Sequence, residues 1–348
     1  MWLPGKSRIR RVLARARAWL SRSVVVLMYH RIAEVTRDPW ELAVAPGHFA
    51  EHLEVARRYG QLLTVREVTR MLAAGRVPHR GIVVTLDDGY ADNLLQARPL
   101  LERHGVPATV FIAAACLGRH EGFWWDQLER FVLEPVDVPQ RLCLEVGGRV
   151  HEHDLATDSR YPAPAQETHA RWRAVADTPT TERHRLFLLL YRLLRPLGDL
   201  ERQRVLGHLA AWSGMPRSGA SNARPLTHSE VRALAADDLV EIGAHALTHP
   251  QLSACARDVQ WAEIRGSRQT LEETIGREVV SFAYPYGSVS DYTRETVSLV
   301  ANAGFSGACV TVPGAVRPTT DCFELPRFHV TDCDGDEFAR RLAAWEAC

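Results

Sequence analysis

Short apolar runs rich in β-branched residues recur along this chain, and helix-like segments lie between them. That alternation limits the possible folds more than any other feature. The runs are SVVVLMY (23–29), GIVVTLD (81–87), PATVFIAA (107–114), LVEIGA (239–244), EVVSFAY (278–284) and GFSGACV (304–310), with helical patterns at 47–59, 65–74, 91–104, 229–236, 257–275 and 290–303. Strands separated by crossover helices pair in parallel, and strands that are apolar almost throughout are covered on both faces. The pattern predicts a barrel-like α/β fold. Ser290 or Asp291 is the expected cap of a helix at 292–303, with Gly304 ending it.

Residues 120–225 break the rhythm with a polar stretch, GGRVHEHDLATDSRYPAPAQETH, and then the helical TERHRLFLLLYRLLRPLGDLERQRVLGHLAAW. An inserted, mostly helical subdomain between two barrel strands accounts for both, as a lid or substrate wall. The expected organisation is a basic N-terminal helix (1–22), a first barrel part (23–119), the insertion (120–225) and a second barrel part (226–348). In the N-terminal segment Ile9, Val12, Leu13, Ala16, Trp19 and Leu20 fall at helical spacing opposite Arg8, Arg11, Arg15 and Arg22. Such a helix either lies on an anionic membrane face or packs on its own domain. Arginines recur through it, so it does not read as a secretory signal, and no stretch has the ~20 apolar residues of a membrane span. Lys plus Arg and Asp plus Glu tie at 42 each, so net charge gives no reason to expect a nucleic acid partner. Seven cysteines, an odd number without a CxxC, read as reduced thiols and suggest the cytoplasm, with possible contact at the inner membrane face through residues 1–22.

In TLDDGYADN (85–93) two aspartates stand together where an apolar strand runs into a glycine. Adjacent carboxylates raise each other's cost of ionisation unless a cation or a proton separates them. A divalent metal resolves this, and EIGAHALTHP supplies further ligands in His245 and His249, four apart at another strand end. One carboxylate and two imidazoles on zinc leave positions open for water and substrate, as in a hydrolytic site. The second aspartate is then free to act as general base.

TLDDGYADN, HALTHP and FAYPYG, in that order, resemble the successive motifs of the polysaccharide deacetylase family, also called NodB-homology or carbohydrate esterase family four. The resemblance runs from about Val24 to about Phe338, outside the insertion. It implies a distorted (β/α) barrel that removes N-acetyl, sometimes O-acetyl, groups from sugars with one divalent ion, zinc foremost. It also implies roles: Asp87 as base; Asp88, His245 and His249 as metal ligands; and the backbone N–H of Tyr286, after Pro285, as an oxyanion donor. The MYH strand end resembles that of permuted relatives and makes His30 the candidate acid, with His329 in LPRFHV competing. Many members have an arginine before the third-motif proline, paired with the base, but here that position is Ala283; Arg327 is the candidate substitute.

Trp124 and Trp125, which open the insertion, are candidates to stack on a sugar ring beside Pro285, or to anchor the insertion by burial. His151 and His153 flank Glu152 in a polar stretch and read as solvent-exposed. The expected substrate is an N-acetylated sugar: a glycan, a lipid-linked sugar or a nucleotide-sugar precursor in surface-polysaccharide assembly. A deformylase or O-acetyl esterase would use the same site. A silent carbohydrate-binding or scaffold protein that keeps the barrel is the alternative from another class.

Overall fold

The computed structural model describes residues 22–217 and 223–346. The predicted basic helix at 1–22 therefore lies, Arg22 apart, outside the described residues. Twelve strands are described: β1 (Ser23–Tyr29), β2 (Arg31–Ile32), β3 (Ala43–Val44), β4 (Gln61–Leu63), β5 (Arg80–Leu86), β6 (Ala108–Ile112), β7 (Arg141–Val146), β8 (Arg149–Asp154), β9 (Val240–Ala244), β10 (Ser281–Ala283), β11 (Gly307–Cys309) and β12 (Phe328–His329). Eight of them form one parallel sheet in the order β11-β10-β9-β6-β5-β1-β12, with β4 pairing the first half of β5 below β6. The sheet curls into a half-barrel. One segment links its two edges, since Val310 N–H donates to Leu325 O while Phe328 pairs with Leu27.

Strand alternation divides the sheet's side chains between two buried faces. Val25, Leu27 and Tyr29 of β1, with Ile82, Val84 and Leu86 of β5, pack into the larger core, while Val24, Val26 and Val83 join Phe111, Ala283, Cys309 and Leu325 in the smaller one. Thr85 and Asp87 continue the Val83 side, which carries Asp87 to the mouth of the barrel. Gly243 is required beneath that mouth, because a Cβ there would drive into the Phe111 ring.

Between β6 and β9 the chain builds a second core around Trp124, Leu128, Phe131, Leu186, Phe187, Leu190, Val205, Leu206 and Leu209. Its main helices are Trp124–Val132, Glu182–Leu194 and Asp199–Ser213. The antiparallel hairpin β7–β8 is a departure from the helical expectation for this region. His151 and His153 sit on β8 and are partly buried, not free in a polar loop; strand pairing sets them opposite Leu144 and Leu142. Two buried arginines fix helix ends here. Arg183 donates to the carbonyls of Pro135, Val136, Asp158 and Ser159, and Arg202 to those of Leu194 and Leu197. The helix cap expected at Ser290 or Asp291 falls instead on Thr293, whose hydroxyl accepts from Thr296 N–H. Asp291 is used elsewhere.

Candidate active site

In a parallel sheet the carboxyl ends of the strands share one rim, and chemistry collects there. His30 follows β1, Asp87 and Asp88 follow β5, His245 follows β9, Tyr286 follows β10, and His329 ends β12. All six line one cavity of about 480 Å³, together with Trp40, Trp125, Tyr191, Arg195, Asp291 and Thr311. Backbone strain concentrates here as well. Asp88, Ala246, His249 and Tyr286 adopt positive φ (72°, 59°, 55° and 61°), a conformation L residues hold only when their surroundings impose it.

Asp88, His245 and His249 are buried, with one ligand atom from each lying within 4.8 Å of the others; among the described residues they are the group of this kind that could hold a metal. Asp88 Oδ1 lies 3.6 Å from His245 Nε2 and 3.5 Å from His249 Nε2. Two ligands about 2.0–2.2 Å from one ion at a tetrahedral angle stand roughly 3.3–3.6 Å apart, so the spacing fits. The far side of the imidazole fits too: His245 Nδ1–H donates to Ala283 O at 2.7 Å, which turns the Nε2 lone pair toward Asp88. Burial, with Asp87 alongside, pushes the Asp88 carboxyl well above its usual range, and burial pushes His249 well below its own. Neutral imidazoles and a carboxylate that needs a cation to stay ionised are the donor set of a divalent ion.

Asp87 is stabilised differently. Arg327 grips it through two parallel bonds, Nη1 to Oδ1 and Nη2 to Oδ2, both 2.7 Å, and both residues are buried. Nε of Arg327 donates to Val310 O, and Nη1 also to Thr85 Oγ1. Burial alone would raise the Asp87 carboxyl, but Arg327 and then His245 outweigh it and hold the group below its ordinary value. The arginine expected in place of the one missing at Ala283 thus stands opposite Asp87, the candidate base.

His30 and His329 meet edge to face, ring centroids 5.5 Å apart. Burial lowers His30 to about 3 and also lowers His329, which has a backbone hydrogen bond at Glu41. Asn93 donates to His30 O and thereby fixes the backbone there.

Of the two tryptophans, Trp125 lines the cavity, its ring 4.8 Å from that of His249 and its Nε1–H donating to Tyr90 Oη at 2.7 Å. Trp124 does not line it: only 4 % exposed, it stacks on Tyr191 within the insertion's core, so the expected sugar contact is corrected for this residue. Pro285 also stands off the cavity wall and acts through the turn it begins. Sequence reasoning missed Trp40, Tyr191, Arg195 and Asp291. The first three lie outside the motifs, and Asp291 looked like a helix cap.

The polysaccharide deacetylase family model matches residues 74–140 and 210–307, interrupted inside the insertion. YxkH of Bacillus subtilis strain 168, whose name places it among polysaccharide deacetylases, is 29% identical over 127 residues; the match covers 35% of this chain and 44% of that protein, under half its length. In structure, the deacetylase PplD of Streptococcus pyogenes, solved in complex with acetate, superposes with a TM-score of 0.56 at 16% identity over 93% of this chain and 98% of its own. IcaB from Ammonifex degensii gives 0.56 at 18% identity over 94% and 98%. Fold and rim together define a NodB-type barrel. The family model that the chain matches is that of the polysaccharide deacetylases.

Proposed function

We propose that this protein is a metal-dependent hydrolase that removes the N-acetyl group from a sugar. The observation that carries this reading is the division of labour between adjacent aspartates: Asp88 faces two imidazoles, whereas Asp87 is locked to Arg327. A divalent ion, zinc foremost, held by Asp88, His245 and His249 would supply Lewis-acid polarisation and lower the pKa of water. Asp87, kept ionised, takes the proton of the water that attacks the acyl carbonyl. The Tyr286 N–H, which has no protein acceptor among the described residues, donates to the oxygen on which charge develops. His30, which burial keeps neutral in the free protein, is the proposed acid for the departing nitrogen and must take up a proton before it donates one; His329 is packed against it.

The cavity lies within the ~300–1,000 Å³ range of small-molecule sites, which favours a chain end or a lipid- or nucleotide-linked sugar over a long polymer run. A place in surface-polysaccharide assembly follows from that substrate class. The described cysteines are all free thiols, which supports our placing the protein in the cytoplasm. Among the described residues no helix is long and apolar enough to cross a membrane. The test joins metal content by elemental mass spectrometry with acetate release from free, polymeric, lipid-linked and nucleotide-linked N-acetyl sugars. One metal per chain, lost in Asp88→Ala and His249→Ala together with acetate release, is the expected result; full release from the metal-free variants would refute the proposal.

A further inference from the structure

The insertion reaches the catalytic rim at one residue in particular. Arg195 closes the Glu182–Leu194 helix, and its guanidinium lies 4.3 Å from the centre of the Tyr286 ring. Its Nη2 donates to Asp291 Oδ1 at 2.5 Å, and Asp291 is fully buried. The other oxygen of Asp291 accepts from the Ser288 N–H and hydroxyl, so one carboxylate ties Arg195 to the segment just after Tyr286. Arg195 is itself held in place. The fully buried Arg202 caps the same helix end at Leu194 O and Leu197 O.

Tyr286 needs such support. Its φ of 61° is costly for an aromatic residue, on the order of 1–3 kcal/mol. On the barrel side Thr311 fixes only backbone, its hydroxyl donating to Tyr286 O and its N–H to Gly287 O. The Tyr286 ring meets His249 edge to face, centroids 4.6 Å apart, and is held from the other side by Arg195 and by the aromatic core of the insertion against which it packs.

We infer that Arg195 is a positioning residue for the Pro285–Gly287 turn, which makes the insertion a working part of the active site as well as a wall. The inference rests on the proposed function through the oxyanion role of the Tyr286 N–H. A donor used only in the transition state affects kcat, so misplacing it leaves substrate affinity almost untouched. Charge and stacking on the tyrosine face explain why an arginine stands here.

The experiment compares wild type with Arg195→Met, Arg195→Lys and Asp291→Asn, reading kcat, KM, metal content and amide hydrogen exchange across residues 282–292. For Arg195→Met the expected result is a kcat at least ~10-fold lower with KM within about twofold, given that an oxyanion donor is worth ~10²–10³. Metal content stays at the wild-type level, exchange in the turn accelerates, and Arg195→Lys recovers part of both losses. If the methionine variant does not fold, the lysine and asparagine variants carry the same comparison. Unchanged exchange, unchanged kcat, or a raised KM at constant kcat overturns the inference; the last would make Arg195 a substrate contact. A wild type that hydrolyses no acylated sugar would defeat the proposed function, and exchange in the turn would then decide the role of Arg195 alone.

Discussion

The two aspartates at the end of β5 show how far one residue's role depends on its neighbours. They are identical in chemistry and adjacent in sequence, yet one is lowered by a buried guanidinium and the other raised by burial beside it. Asp87→Asn should therefore lower kcat by roughly 10²–10⁴, the usual worth of a general base, while metal stoichiometry stays at the wild-type value. Elemental mass spectrometry beside acetate release checks both; turnover near wild type would remove Asp87 from the mechanism. His30→Ala and His329→Ala divide the acid role in the same assay, and the larger loss is expected for His30. The residues proposed as metal ligands and base were legible because motif order names them without reference to three-dimensional contacts. Arg327 was inferred from the missing arginine at Ala283, a gap that required a compensating charge. Arg195 and Asp291 were not legible, because their partnership spans 96 residues and neither lies in a motif.

At the scale of elements, β1, β5 and β9 were read to within a residue, since runs such as Val24–Met28 are buried on both faces and carry an unbroken apolar signal, whereas β10 and β11 are shorter than the runs read for them and the short sheet strands β4 and β12 were not read. The β7–β8 hairpin escaped notice for the opposite reason. β7 alternates buried and exposed side chains, while β8 is polar apart from the exposed Val150 and draws its order from pairing with β7. The helix expected at 91–104 opens instead with a π-helical turn, Asn93–Ala97, before Arg98–His104. Asn93 sits in that turn and donates to both His30 O and Asp92 Oδ1, contacts that periodicity does not report. β9 supports a prediction of its own. Its Gly243 lies two residues before the proposed ligand His245 and has Phe111 where a side chain would go, with Ser281 O at 3.1 Å. Gly243→Ala should cost about 1–3 kcal/mol by overpacking, and should lower metal affinity because the strand end that carries His245 must shift. Denaturant midpoints and metal titration are the measurements; a variant as stable and as metal-avid as wild type would show that the barrel floor yields freely.

The molecule as a whole combines a barrel and an insertion whose buried ionisable groups respond to pH in opposite senses. His184, stacked on Trp172 in the insertion, and His52, beneath the barrel helices, are both lowered by burial to about 4. Between that value and about 6.5 the unfolded chain binds protons that the folded one refuses, so their contribution is present at neutral pH and is lost as pH falls through this window. Asp126 is the reverse case. Burial raises it to about 7 despite the opposing pull of Arg31, and Tyr90 donates to it at the seam between insertion and barrel. The folded protein holds this proton from about pH 3.9 to about pH 7 while the unfolded chain has released it, so the contribution is complete below that window and declines as pH rises. The two trends offset each other in mild acid and separate above it. Melting midpoints measured from about pH 4 to about pH 8 should show His184→Gln gaining on wild type toward the acid end, and Asp126→Asn gaining toward the alkaline end. Curves that run parallel to wild type for both variants would mean that these groups titrate alike in the folded and unfolded chain, and that the seam around Tyr90 is open to water.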